Sequence, residues 1–199
     1  MASCGMPPLQ KPAGPAPTPT RLHEAALRHL SRFAATEAGL TRVLDGRVRR
    51  WAARAVAEGQ ETDETAGTAV GAARAAVRAV VAALVQAGAV DDRAFATARA
   101  VRLVRAGRSR RATSAHLTGK GVSAEVAAEA LPEGDELGSA LAYAKRRRIG
   151  PFRQQLDPEM RLRDLGALAR AGFPRDVAER ALAMGAEDAM AAVLAFKRG

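Results

Sequence analysis

Apolar residues recur at helical spacing along almost the whole chain from Arg21 onward. Each run repeats at intervals of three or four residues, so its members share one face of a helix. No stretch shows a convincing two-residue alternation of the kind that marks a β-strand. The pattern therefore predicts an all-α protein, with apolar stripes at Leu22, Ala26, Leu27 and Leu30, at Leu40, Val43, Leu44, Val48 and Trp51, and at Val77, Val80, Val81, Leu84 and Val85.

One segment of the chain occurs twice. Residues 117–131 and 168–182 align without a gap at an offset of 51 residues. In both copies a helix-compatible stretch ends at a glycine (Gly121, Gly172), an apolar residue follows, and a serine or a proline opens the next stretch. Glycine suits the left-handed conformation just past a helix end, so each copy predicts a helix, a tight joint and a second helix. An internal duplication of this kind indicates a modular array of helices.

The fold class that follows is an elongated, all-α array of three tandem three-helix modules plus a short C-terminal helix. In the first module we predict helices at about 22–33, 36–50 and 72–88. Four acids, three threonines and three glycines, but no lysine or arginine, occupy 58–71, which we interpret as a flexible acidic insertion. The predicted organisation is a disordered Pro-rich leader (1–20), a first module (21–88), a second (89–132), a third (133–185) and a tail helix (186–199).

Composition limits the class of protein further. Apolar residues make up 48% of the 199 residues but aromatic residues only 4%, so the core is expected to be thin and rich in alanine. The single cysteine, Cys4, permits no disulfide within the chain and no cysteine metal site. The leader holds six of the ten prolines and lacks the apolar run of a signal peptide, and no later stretch approaches 18 uncharged apolar residues. We therefore expect a soluble, cytoplasmic protein without a membrane partner.

Two clusters of positive charge stand out in the sequence. The formal charge is +10 and the isoelectric point is about 11.1, which favours a polyanionic partner. No acid lies between Asp92 and Glu125, where eight cations occur, and a second cluster ends the corresponding helix of the third module. One alternative is that the arginines cover a solvated face, and another is that they complement helix C-termini. Two helix ends need only one or two cations, whereas eight occur in this window. We predict a filament- or nucleic-acid-binding set of Arg99, Arg102, Arg105, Arg108, Arg110, Arg111, Lys120, Lys145, Arg146, Arg147 and Arg148.

Reactive chemistry has little support in the sequence. The histidines (His23, His29, His116) show no spacing for a metal site, and Asp91-Asp92 fits a helix cap better than a catalytic pair. Gly119-Lys120-Gly121 lacks the remaining residues of a phosphate-binding loop, and no Gly-x-Ser-x-Gly motif occurs. We expect no catalytic residue, metal or cofactor, and we interpret the aromatic side chains as core residues rather than base-stacking platforms, namely Trp51, Phe95, Tyr143 and Phe152.

Several short strings, in a fixed order, resemble the RecX family of bacterial recombination regulators. They are A-L-R-H-L-S-R-F and L-T-R-V-L, then V-D-D-R-A-F-A, G-R-S-R-R and L-T-G-K-G-V, and finally L-A-R-A-G-F-P with V-A-E-R-A-L. The similarity covers Leu22 to Met184. Two departures concern the first module. The family's usual Ser-Glu-x-Glu-Leu start of the second helix is replaced here by the sequence at 36–40, T-E-A-G-L, and the acidic insertion is unusual.

The resemblance implies a cytosolic protein of three tandem three-helix modules that is not an enzyme. It implies that the protein binds RecA recombinase filaments on single-stranded DNA, lies along the filament groove, and limits strand exchange and ATP hydrolysis in recombination and DNA repair. The expected partners are the RecA filament and its single-stranded DNA, with free DNA as a further candidate, and the protein is expected to be a monomer. A stand-alone helix-turn-helix DNA-binding protein and a nucleotide-processing enzyme remain alternatives.

Overall fold

The computed structural model describes residues 13–134, 136–153 and 160–198, and within these ranges it contains ten α-helices, a 3₁₀ turn and no β-strand. The prediction of an all-α protein is confirmed. The chain divides into two compact units between Asp91 and Asp92. The helices are α1 (Pro19–Leu30), α2 (Glu37–Ala57), α3 (Asp63–Gln86), α4 (Asp92–Arg105), α5 (Arg110–Gly119), α6 (Ala124–Glu129), α7 (Leu137–Arg147), α8 (Met160–Arg170), α9 (Arg175–Ala183) and α10 (Ala186–Arg198), with the 3₁₀ turn at Gly150–Phe152.

The first unit packs α1 and α2 against the valine-rich face of α3. Leu22, Leu40, Leu44 and Val77 are at most 1% exposed and form the centre of this core. Three members of the predicted stripes are exposed instead. Neighbouring residues on a helix point about 100° apart, so a side chain beside a buried residue can face outward. The exposed members are Leu27, Val43 and Val85, which adjoin the buried Ala26, Leu44 and Leu84.

The predicted acidic loop at 58–71 is wrong for most of its length, because α3 begins at Asp63. The Thr62 side chain accepts a hydrogen bond from the Thr65 backbone N–H, and the Thr65 hydroxyl lies 2.9 Å from the Thr62 backbone nitrogen and accepts in return. This capping box satisfies two N–H groups at the helix start. Asp63 and Glu64 lie in the first turn, where the helix dipole favours negative charge. The connection between α2 and α3 is therefore short.

The leader also ends earlier than predicted. Residues 1–12 lie outside the described residues, but α1 already begins at Pro19, and the segment before it contacts α2. The Trp51 indole Nε1 donates a 2.9 Å hydrogen bond to the Gly14 carbonyl, and the Ala13 backbone N–H donates to the Glu58 carboxylate at 2.9 Å. Trp51 is only 7% exposed, which agrees with its interpretation as a core residue.

The second unit contains two helix groups with separate cores. The second group consists of α4, α5 and α6 around Ala96, Ala100 and Leu117. The third group consists of α7 to α10 and the 3₁₀ turn around Leu141 and Leu168. The predicted tail helix is α10, and it is part of the third group because its Ala189 and Val193 are fully buried in that core.

Both predicted joints of the duplication are present. Gly121 follows α5 with a φ of 97°, and Gly172 follows α8 with a φ of 93°. The next residues, Val122 and Phe173, are 3% and 4% exposed, so each joint turns an apolar side chain into the core of its group. The left-handed backbone is accessible to glycine without a Cβ penalty, which explains why both copies keep glycine there.

By length and composition alone, α3 is apolar enough to cross a membrane. It carries Arg74 and Arg78, however, and its buried face supplies the core of the first unit. Within the described ranges, no other helix meets this criterion.

Candidate functional site

The arginines of α4 form the first part of the predicted basic surface. Arg102 and Arg105 are exposed, whereas Arg99 is half-buried and its Nε donates a 3.3 Å hydrogen bond to Nε2 of His116 on α5. The packed side of the same helix carries Ala96 and Ala100, both fully buried. The predicted stripe is therefore a real surface feature of α4, although one of its three members also fixes the position of a histidine.

His116 lies among positive charges. Burial is the main cause that lowers the pKa of His116, and the charges of Arg99, Arg108 and Lys120 lower it further. A neutral imidazole can accept the hydrogen bond from Arg99, whereas an imidazolium cannot. His116 thus reports on the local electrostatic potential: any bound anion that neutralises these cations should raise its pKa again.

Arg110 and Arg111 also form hydrogen bonds within the protein, although Arg111 remains exposed. The Arg110 guanidinium donates to the Pro132 carbonyl, and its backbone N–H donates to the Glu136 carboxylate. The Arg111 guanidinium donates to the Ala169 carbonyl at 3.4 Å. Both residues therefore help to join the second and third groups.

In the basic cluster at the end of α7, two cations contact other residues of the protein and two are only exposed. Nζ of Lys145 lies 3.1 Å from the Met190 sulfur. The Arg146 guanidinium stands 5.5 Å from the centre of the Tyr143 ring and donates to the Ala106 carbonyl. Arg147 and Arg148 are exposed, and Arg148 ends the helix with a φ of 55°. A non-glycine residue in this left-handed conformation costs roughly 1 kcal/mol or more, so the end of α7 keeps a cation at some expense in stability.

The neighbouring Arg153 is only partly exposed, because it pairs with a buried carboxylate. Its Nη2 lies 2.6 Å from Oδ1 of Asp164, a carboxylate that is only 4% exposed. The other Asp164 oxygen accepts a 2.8 Å hydrogen bond from the Gly150 backbone N–H. This ion pair holds the turn after α7 against α8.

Close backbone contact joins the second and third groups. Gly107 follows α4 with a φ of 77°, and a Cβ on it would lie 2.7 Å from the Tyr143 backbone nitrogen. The Ser109 hydroxyl donates a 2.7 Å hydrogen bond to the Ala171 carbonyl. The cations at the ends of α4, α7 and α8 are therefore held at fixed positions relative to one another.

A cleft of about 380 Å³ opens beside this contact, and we name it the arginine cleft. None of the described residues that line it is acidic. Arg170 also lines the cleft. The sequence did not indicate Arg170, because Asp164 and Asp176 flank it and the main predicted cluster lies in an acid-free window. The cleft is lined by Arg108, Arg146, Arg147, Arg170 and Tyr143, over a floor of Gly107, Ala112, Ala167 and Ala171.

The other three aromatic residues that the sequence analysis names are half-buried and pack against the cores. Phe95 packs in the second group and Phe152 in the third. The Tyr143 ring lies 5.8 Å from that of Phe173. This agrees with their interpretation as core residues, although Tyr143 also lines the arginine cleft. Among the described residues, no group of three or more His, Cys, Asp or Glu side chains is arranged to hold a metal ion.

These features define an all-helical protein in which glycine-jointed helix pairs support an arginine-rich surface. Comparison with known proteins narrows the class of protein further. Residues 91–131, which cover α4 to α6, match the family model described as "RecX, second three-helix domain". No solved structure matches.

Two relatives extend the match beyond these helices. The chain is 40% identical over 171 residues to the Regulatory protein RecX of Myxococcus xanthus, covering 83% of this chain and 86% of that protein. It is 34% identical over 102 residues to the Regulatory protein RecX of Agrobacterium fabrum, covering 51% of this chain and 55% of that protein. The chain belongs to the RecX family of regulatory proteins, which confirms the resemblance found in the sequence.

Proposed function

We propose that this protein regulates the RecA recombinase, mainly as an inhibitor, by binding along the groove of the RecA filament on single-stranded DNA. Bound there, it limits strand exchange and ATP hydrolysis in recombination and DNA repair. The observation that carries the proposal is the coincidence of RecX-family membership over most of the chain with an arginine-rich surface on the second unit.

The physical basis is the addition of many modest charge contacts. A nucleoprotein filament presents phosphates at regular intervals, and each phosphate that a lysine or arginine neutralises releases a counterion. The exposed members of the predicted set, such as Arg102, Arg105 and Arg147, are positioned on helices rather than on loops. Rigid positions reduce the entropy that is lost on binding. Affinity for the filament should therefore fall steeply as salt increases.

In this proposal the protein is a cytoplasmic monomer that acts by occupying the filament groove and catalyses no reaction. The rival function, a stand-alone helix-turn-helix DNA-binding protein, would place the helix after each joint in the major groove. In the second group that helix is α6, which carries Glu125 and Glu129 and no basic residue. Two carboxylates on a six-residue recognition helix would repel the DNA phosphates. The charge of α6 therefore argues against this alternative in the second group, whereas α9, the helix after the second joint, carries two arginines beside its two acids.

A salt titration of filament binding tests the proposal. Preassembled RecA filaments on a fluorescently labelled oligonucleotide are titrated with the full chain between 50 and 200 mM salt, and anisotropy reports the affinity. The test variant is Arg102→Glu with Arg105→Glu, and the matched control is Arg74→Glu with Arg78→Glu, an exposed pair on α3.

We expect the test variant to bind at least about tenfold more weakly at low salt and with a shallower salt dependence, because two cations are replaced by acids. The control should bind like the wild type. Equal affinity for test and control variants would contradict a role for the α4 surface, and no binding by the wild type would contradict the proposed function itself.

A further inference from the structure

The arginine cleft gathers more positive charge than the fold requires. The C-terminal ends of α4, α7 and α8 meet at it, and each helix end carries about half a negative elementary charge. Neutralising the three helix ends would therefore use about one and a half of the four positive guanidinium charges. The nearby start of α5, at Ala112, adds to the positive potential rather than reducing it.

Most of these guanidinium groups also form no hydrogen bond or ion pair with the part of the chain that the structure describes. Arg146 donates to the Ala106 carbonyl and covers one face of Tyr143, which is the role that helix-end neutralisation predicts. Among the described residues, the side chains of Arg108, Arg147 and Arg170 form no hydrogen bond and no ion pair. Three planar donor groups thus face one cleft without an acceptor.

The floor of the cleft indicates the chemistry of the ligand. Gly107, Ala112, Ala167 and Ala171 offer no deep apolar pocket for the aromatic or aliphatic anchor that protein partners usually insert. Small floor residues instead allow a bulky, hydrated anion to approach the guanidinium groups. Arginine forks match the oxygens of a phosphate group in pairs, and the volume of about 380 Å³ is sufficient for a nucleotide-sized segment.

We infer that the arginine cleft binds a backbone phosphate of single-stranded nucleic acid directly, without the help of a recombinase. Arg147 and Arg170 contact the phosphate from α7 and α8, and Arg108 contacts it from the second group. The inference rests on the proposed function only in assuming that this surface meets a nucleoprotein. Its test contains no recombinase, so the two can fail separately.

The experiment measures binding of a labelled 12-nucleotide oligothymidylate to the full chain at 50 mM salt. The cleft variant is Arg147→Gln with Arg170→Gln, and the matched control is Arg74→Gln with Arg78→Gln on α3. Both pairs remove two exposed arginines from helices, and circular dichroism verifies that the helices and the unfolding temperature are retained.

We expect the cleft variant to bind about tenfold to hundredfold more weakly than the control, with a salt slope shallower by about 0.7, which corresponds to one single-strand phosphate contact. Equal binding by the two variants would overturn the inference. Normal regulation of RecA by a cleft variant that has lost free-DNA binding would leave the proposed function intact.

Two further probes distinguish the source of the anion by NMR, through the side-chain Nε–H signals of Arg147 and Arg170. The oligothymidylate should shift both signals at lower concentration than ATP or a decapeptide of glutamate. A stronger response to ATP would identify a free nucleotide as the ligand, and a stronger response to the peptide would identify an acidic protein segment. Either result would overturn the assignment to nucleic acid.

Discussion

Gly107 lies where the backbones of the second and third groups are in contact, so a side chain at this position should destabilise the fold. In Gly107→Ala the new methyl group would lie 2.7 Å from the Tyr143 backbone nitrogen and 3.0 Å from the Ala142 carbonyl carbon. Both are backbone atoms of α7, so no side-chain rotation relieves the contact. The φ of 77° adds the cost of a left-handed alanine. Left-handed strain of roughly 1–2 kcal/mol and overpacking of roughly 1–3 kcal/mol predict a destabilisation of roughly 2–5 kcal/mol.

Urea unfolding followed by circular dichroism measures this change. Gly119→Ala is the matched control, because Gly119 lies in α5 with nothing within 4 Å of its would-be Cβ. The control should equal the wild type or exceed it by up to about 1 kcal/mol, as alanine is the better helix former. Fluorescence of Trp51, the only tryptophan, follows the first unit separately. A loss below about 0.5 kcal/mol in Gly107→Ala would refute the argument that the second and third groups meet backbone to backbone.

Three other outcomes follow from single side chains. Arg148→Gly should raise the free energy of unfolding by about 1 kcal/mol, because it removes a left-handed arginine, and an unchanged value in urea unfolding would contradict the strain. Thr113→Val should stabilise by about 1 kcal/mol, because within the described structure the buried Thr113 hydroxyl has no hydrogen-bond partner, whereas Thr118→Val should bring no gain, since its hydroxyl donates to the α5 backbone. The lowered pKa of His116 means that the folded protein binds fewer protons than the unfolded chain, so this contribution to stability is complete above about pH 6.5 and is lost as the pH falls through the lowered value. His116→Gln should remove that part of the pH dependence in thermal melts, and an identical pH profile for the two proteins would contradict it.

Much of the fold was predictable because glycine marks the helix joints. Gly121 and Gly172 identified both copies of the duplicated joint, and the apolar residues that follow them are buried as expected. The start of α3 was not predictable from composition, because acids, threonines and glycines are typical of loops. A threonine cap and two acids in a first turn form an equally good helix start, and only the reciprocal Thr62–Thr65 contacts distinguish the two.

The candidate site was predictable as a region but not residue by residue. A run of arginines shows where positive charge accumulates, yet the sequence does not show which guanidinium groups turn inward. Arg110 donates to the Pro132 carbonyl and Arg146 to the Ala106 carbonyl, although both arginines belong to dense basic runs. Arg170 lines the cleft, although acids flank it in the sequence. These outcomes depend on contacts between distant segments, which local patterns do not encode.

The rate of ATP hydrolysis by RecA on single-stranded DNA tests the central claim most directly. Increasing amounts of the full chain are added to preformed filaments at low salt, and the Arg102→Glu, Arg105→Glu variant is compared with the Arg74→Glu, Arg78→Glu control. The account predicts that the wild type and the control lower the rate at the same concentration, and that the variant requires at least about tenfold more protein. A rate that the wild-type protein leaves unchanged at every concentration would contradict it.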